Sequence, residues 1–189
     1  MRHLRLLLAR WPYLLAMLLA AAIVHILTTF LMPHLAVGDA YTRLSRSLPA
    51  NTFVIFPPTR AGAQVLPYQA PDVRYAICRF DTAAGPVVVS VILQDVGWTL
   101  SLYSASGESF YAVPAAAGRT VDVRVLVLPP GDNFLGYVPE RREVNTSLTQ
   151  LHAPTRAGLA VLRAPLKGRA FAAEIEQGLR RSTCRQQPY

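Results

Sequence analysis

Between Trp11 and Met32 the chain runs 22 residues, WPYLLAMLLAAAIVHILTTFLM, without an Asp, Glu, Lys or Arg. As a helix rising about 1.5 Å per residue it reaches roughly 33 Å, enough to cross the hydrocarbon core of a bilayer. Whatever else the chain builds must hang from this segment. Pro12 fits a first helical turn, where its missing N–H is an orphan anyway, and Trp11 and Tyr13 suit a headgroup boundary. Arg2, Arg5 and Arg10 precede the segment, whereas the next fixed charges after it are Asp39 and Arg43. The positive-inside bias predicts residues 1–10 as a cytoplasmic tail, 11–32 as a single transmembrane helix anchored in the lipid bilayer, and the rest as extracytoplasmic. A cleaved signal sequence is the alternative. Against it, the apolar run exceeds the roughly 7–15 residues usual for such a signal, and the small residues Ala20 to Ala22 lie inside the run. His25, with Thr28 and Thr29 one turn on, invites a proton-relay reading. A single span has no interior, so a neutral His bonding locally or meeting a partner helix is the simpler expectation.

The remaining length suits one domain and is too short for a two-domain enzyme with its own cofactor-binding half. Hydrophobic residues make up 52% of the chain and charged residues 16%. That composition excludes a disordered polyelectrolyte and fits a charge-rich soluble enzyme poorly. The net charge is +8, but 18 of the 19 basic residues are Arg, with Lys167 alone; this is coding bias more than a nucleic-acid patch, and no nucleic acid is implied. Residues 33–50 form a juxtamembrane helix or linker, with Tyr41, Leu44 and Leu48 at helical spacing and Pro49 closing the segment.

From residue 51 to 189 the texture is that of a β domain, with β-branched and aromatic runs broken by Pro and Gly clusters. Strands are predicted at Thr52–Phe56, Val73–Phe80 and Val87–Leu93, the last apolar on both faces as though packed between two layers. Trp98 to Tyr103 alternates, setting Trp98, Leu100 and Leu102 against Thr99, Ser101 and Tyr103. A turn at Ser104–Gly107 leads into Ser109–Val113, which carries Phe110 and Tyr111. Val121–Leu128 and Gly158–Arg163 are further strands, and residues 132–154 are loop with one short strand. Arg169 to Arg181 places Phe171, Ile175 and Leu179 at steps of four, the layout of an amphipathic helix laid on a sheet. The fold expected is mainly β: an antiparallel β-sandwich or open barrel with an N-terminal transmembrane helix and a C-terminal amphipathic helix.

Cys78 lies in a strand and Cys184 just beyond the terminal helix. A disulfide between them would suit an oxidising compartment and staple that helix to the sheet; one buried and one loose thiol is the alternative. Reactive chemistry is not signalled. His3, His25, His34 and His152 are scattered, so no metal is implied. No HExxH, Walker A, GxGxxG after a strand or GxSxG elbow occurs, and no cofactor or catalytic residue is assigned. Asp72, Asp81, Asp95 and Glu108 sit at strand ends or turns as caps, and Arg74, Arg79 and Arg124 are read as salt-bridged structural arginines. The triplet Asn145-Thr146-Ser147 and the dyads Arg141-Arg142 and Arg180-Arg181 are discounted as chance and solvated charge.

These residues nevertheless carry a resemblance. A C-R-[FY]-D box at Cys78–Asp81, a G-P turn at Gly85-Pro86, a W-[ST]-L-S-[LV]-[YF] strand at Trp98–Tyr103 and an S-G-x-x-[FY]-Y segment ending at Tyr111 resemble the short membrane-anchored members of the domain-of-unknown-function 1254 family of bacterial envelope proteins. A G-L-x-V-L-R strand at Gly158–Arg163 and the late Cys184 also fit. The resemblance implies a β-rich domain on the periplasmic side of the bacterial cytoplasmic (inner) membrane. In longer relatives it implies a second domain of the 1214 type, so that a separately encoded partner of that type is expected here. It implies no reaction.

Three functions compete. The favoured one is an accessory or interaction module acting through a partner membrane or envelope protein, marked by an apolar or aromatic patch. The second is a binder of a small apolar ligand or lipid between the sheets, lined by Trp98, Phe110 and Tyr111. The third is an enzyme with polar side chains converging near Arg79, Asp81 and Tyr103.

Overall fold

The computed structural model describes residues 2–35, 39–60, 62, 64–131 and 148–187. The chain divides into two compact units, Met1–Gly38 and Asp39–Tyr189. The first holds helix α1, Arg2–Leu35. Its stretch Arg10–Met32 is long and apolar enough to cross a membrane, a property shared by anchors and signal sequences. Pro12 therefore lies inside the helix rather than in its first turn: Leu and Arg, both good helix formers, carry the helix back to Arg2. The Thr28 hydroxyl donates to the Val24 carbonyl at 2.8 Å and that of Thr29 to the His25 carbonyl at 2.7 Å, so these hydroxyls are satisfied within the helix.

The second unit begins with α2, Ala40–Ser45, shorter than the helix expected over the linker. Two sheets follow. The five-stranded sheet has the order β1-β2-β8-β4-β5, from Phe53–Ile55 (β1), Val73–Asp81 (β2), Ala157–Pro165 (β8), Thr99–Ser104 (β4) and Ser109–Pro114 (β5). The four-stranded sheet has the order β7-β6-β3-β9, from Leu148–His152 (β7), Val121–Leu128 (β6), Val87–Leu93 (β3) and Thr183–Gln186 (β9). The result is a sandwich whose sheets do not close into a barrel. Every pairing is antiparallel except β6 with β7, which run parallel. A parallel neighbour needs a crossover of a dozen residues or more, and residues 129–147 supply that length.

Alternation decides which face is inside. Val87, Val89, Val91 and Leu93 of β3 and Val123, Val125 and Val127 of β6 face Ala76, Cys78, Phe80, Leu100, Leu102, Ala160 and Leu162 across one core. β3 departs from the expectation of two packed faces: Val88, Ser90 and Ile92 are half-exposed, so only one face is core. Ile175 and Leu179 of α3, Ala172–Arg180, join that core. Phe171 does not. It sits in a 3-10 turn ahead of the helix and is 47% exposed, because the helix starts three residues later than its apolar spacing suggested.

Cys78 and Cys184 form a disulfide with 6.5 Å between their Cα atoms. It ties sheet to sheet, β2 to β9, rather than helix to sheet. The reason is β9, which the sequence reading left out: Cys184 pairs with Val89 at the edge of the second sheet.

Candidate functional site

The outer face of the five-stranded sheet holds a groove. Odd-numbered residues of β2 and β8 point there, and register lines up Tyr75 with Arg163, Ile77 with Val161, and Arg79 with Leu159. On the other side of β8, Tyr103 of β4 stands beside Leu159. Part of this face is roofed by α2, whose Leu44 buries with Leu48, Phe56, Ile77 and Leu159 as a second apolar cluster. What remains uncovered is a groove of about 430 Å3, within the range of ligand and peptide sites. Ile77, Leu159 and Val161 form its floor; Tyr41, Tyr68, Tyr75, Tyr103, Arg163 and Asp39 ring it.

The ring is polar but mostly self-satisfied. The Arg163 guanidinium lies 5.8 Å from the centroid of the Tyr75 ring, a cation–π contact. The Tyr75 hydroxyl accepts the Ala70 N–H at 3.2 Å, fixing the loop that carries Tyr68. Tyr68 differs from the other three tyrosines: it is 99% exposed and holds φ at +62°, a left-handed conformation rare outside glycine, Asn and Asp.

Asp39 starts α2 as its N-cap, its Oδ1 accepting the Thr42 N–H at 2.7 Å. Hydrogen bonds from the Thr42 side chain and then its backbone hold the Asp39 carboxyl below its ordinary value. A lowered folded pKa means the cap's stabilisation is fully present above the ordinary carboxylate range and is lost as pH falls through the folded value. Asp39→Ala is expected to cost about 1 kcal/mol at neutral pH. The difference from the parent chain should vanish in acid below the carboxylate range, as read from denaturation midpoints at both pH values; an equal loss at both would show that the carboxylate is not what matters.

The residues singled out from sequence fall in several places. Tyr103 lines the groove. Trp98 is 3% exposed and belongs to the core. Phe110 and Tyr111 pack against that core, Phe110 edge-on to Phe80 with centroids 6.3 Å apart. Both are half-buried. Arg79 donates from Nε to the Leu48 carbonyl at 3.2 Å, tying the α2 segment to the sheet. Asp81 accepts the Ala83 N–H at 2.9 Å on its carboxylate, while its backbone is clipped by Asn51. Arg79, Asp81 and Tyr103 thus serve separate local roles. Asp122 pairs with Arg124 at 3.6 Å, and Asp95 accepts from Lys167 and from the Val96 N–H. The discounted segments 141–142 and 145–147 lie outside the described residues. Among the described residues no group of three or more His, Cys, Asp or Glu side chains could hold a metal ion.

Tyr41, Tyr68, Tyr75 and Arg163 were not singled out as site residues from the sequence. For Tyr75 and Arg163 a signal existed, since strict alternation places them on the outer face of their strands; Tyr41 and Tyr68 are brought there by segments without a strand period.

The second unit is a disulfide-bridged two-sheet β-sandwich with an aromatic-ringed groove on the outer face of one sheet. The family described as "Protein of unknown function (DUF1254)" matches residues 50–185, and the chain belongs to it. No curated protein matches the chain. Among solved structures, the VPA0106 protein from Vibrio parahaemolyticus is similar over 77% of this chain, at 18% identity and TM-score 0.57. An uncharacterised protein from Burkholderia cenocepacia is similar over 73%, at 16% identity and TM-score 0.40. The first likeness extends to fold alone. The chain spans about a third of those proteins, 32% and 34% of their lengths.

Proposed function

We propose that this protein is a membrane-anchored accessory module of the bacterial envelope, which grips a segment of a partner protein in the tyrosine-ringed groove on the outer face of its sandwich. The observation that carries the reading is Tyr68, fully exposed in a left-handed backbone conformation at the rim of an apolar floor. Tyrosine is among the residues that supply most binding energy at interfaces, because its ring is large, rigid and amphipathic. The arginines in the first part of α1, ahead of its apolar stretch, and the disulfide support a periplasmic domain held by an uncleaved helix. The partner this reading expects is a protein of the 1214 type, as the family resemblance implies.

The test places a photo-crosslinking amino acid at position 69, beside Tyr68 in the groove lining, of the full-length chain in host membranes. The expected product is a stoichiometric adduct with one envelope protein, abolished when Tyr103→Ala and Arg163→Ala remove the groove's far wall. Tyr68→Ala is expected to weaken that association about 30-fold, the scale of an interface hot spot, with folding stability changed by less than about 0.5 kcal/mol. Labelling spread over many proteins, or none, would remove the reading.

A further inference from the structure

A second recess, of about 760 Å3, opens between edge strand β1 and helix α3. Its inner wall carries Arg74. Even-numbered residues of β2 face the core, so Arg74 continues the inward row of Ala76, Cys78 and Phe80, and it is only 7% exposed. A guanidinium has five N–H donors and stays charged. Here the contact given to it is one long hydrogen bond, 3.3 Å to Glu176 Oε2. Its Nε has no partner, and neither does the Oγ of Ser182, which lines the same recess. Among the described residues these two are the buried side-chain polar atoms left unpaired. Glu176 is also shared: Arg180 binds its other oxygen at 2.7 Å. Two cations therefore divide one carboxylate, leaving a local charge of +1 beside two unsatisfied polar groups. The rest of the wall includes Phe53, Phe56 and Leu179, which are apolar.

An arginine kept only for architecture would be better replaced by a well-packed apolar residue, because burying the charge with one weak partner is unfavourable. We infer that the recess binds a small amphiphile with one anionic head, a carboxylate in the first instance, its head on Arg74 and Ser182 and its apolar body on Phe53, Phe56 and Leu179. The carboxylate would neutralise the excess charge where Arg74 lines the recess, beside its buried and unpaired Nε. This site is separate from the groove proposed for a partner protein.

The full-length chain in phosphatidylcholine nanodiscs, labelled at Arg, can be titrated with hexanoate, hexanol and inorganic phosphate, following heat and the Arg Nε–H resonances. One resonance, absent in Arg74→Met, is expected to move downfield with hexanoate. Hexanoate should bind at least about tenfold tighter than either hexanol or phosphate, since neither alone offers both head and body. Arg74→Met should abolish that preference without lowering the melting temperature. Ser182→Ala should weaken hexanoate about fivefold with the fold intact, which keeps the test valid should Arg74→Met misfold. Hexanoate binding no tighter than hexanol, binding matched by phosphate, or a resonance that stays in place would each overturn the inference; water alone would then fill the recess.

Discussion

With Cys78→Ala and Cys184→Ala together, the β domain is expected to lose about 4–5 kcal/mol of stability. The bridge closes a loop of 106 residues in sequence separation, long enough that opening it returns a large conformational freedom to the unfolded chain. Its position adds to the effect. Cys78 sits in β2 of one sheet and Cys184 in β9 of the other, both buried in the shared core, so the bond joins the two layers through the middle. Among the described residues β9 pairs with β3 alone, and it is four residues long, so it has little else to hold it. Typical domains retain only about 5–15 kcal/mol, which makes a loss of this size enough to leave the chain marginal. Denaturant unfolding of the full-length protein in micelles, with and without the two cysteines, measures it. A shift corresponding to less than about 1 kcal/mol would mean that packing, not the crosslink, holds the layers together.

Gly158→Ala is the second large effect, expected at about 3 kcal/mol or more. Gly158 opens the central strand β8, opposite Phe80 on one side and Ser104 on the other. A Cβ there would overlap the Tyr103 carbonyl oxygen and the ring edge of Phe80. Neither can step aside cheaply. The carbonyl belongs to a sheet backbone, and Phe80 is fully buried and packed edge-on against Phe110. The strain would also reach the groove, because moving β4 displaces Tyr103. Crosslinking from position 69 should therefore fall alongside stability in this variant, whereas Tyr68→Ala should lower crosslinking alone. Unfolding midpoints separate the two cases; a Gly158→Ala chain as stable as its parent would mean that β4 yields freely at this point.

The exchange between local and long-range information is visible at particular residues. Trp98, Leu100 and Leu102 turn inward and Thr99, Ser101 and Tyr103 outward because a strand's side chains alternate whatever it pairs with. The valines of β6, the apolar helix α1, the helical spacing of Ile175 and Leu179, and the pairing of two cysteines were legible for the same reason: each is a short-range period or a count. The family resemblance was legible too, since it rests on strand patterns between Cys78 and Tyr111.

Other features exist only after distant segments meet. β9 is the tetrapeptide TCRQ, which has no strand period and becomes a strand because β3 has a free edge and Cys78 captures Cys184. The parallel docking of β7 depends on a crossover, and the insertion of β8 between β2 and β4 on pairing across more than fifty residues. Arg74, read as a salt-bridged structural arginine, does pair with Glu176, but the strand's phase also turns it inward, to 7% exposure. The groove draws Tyr41, Tyr68, Tyr75, Tyr103 and Arg163 from five separate segments. The sequence by itself thus determined the apolar helix and the inward faces of β4 and β6, and offered two cysteines for a bridge. Tertiary structure alone decided which faces meet, and so where binding surfaces lie, because local periodicity sets a side chain's direction while only packing sets its neighbours.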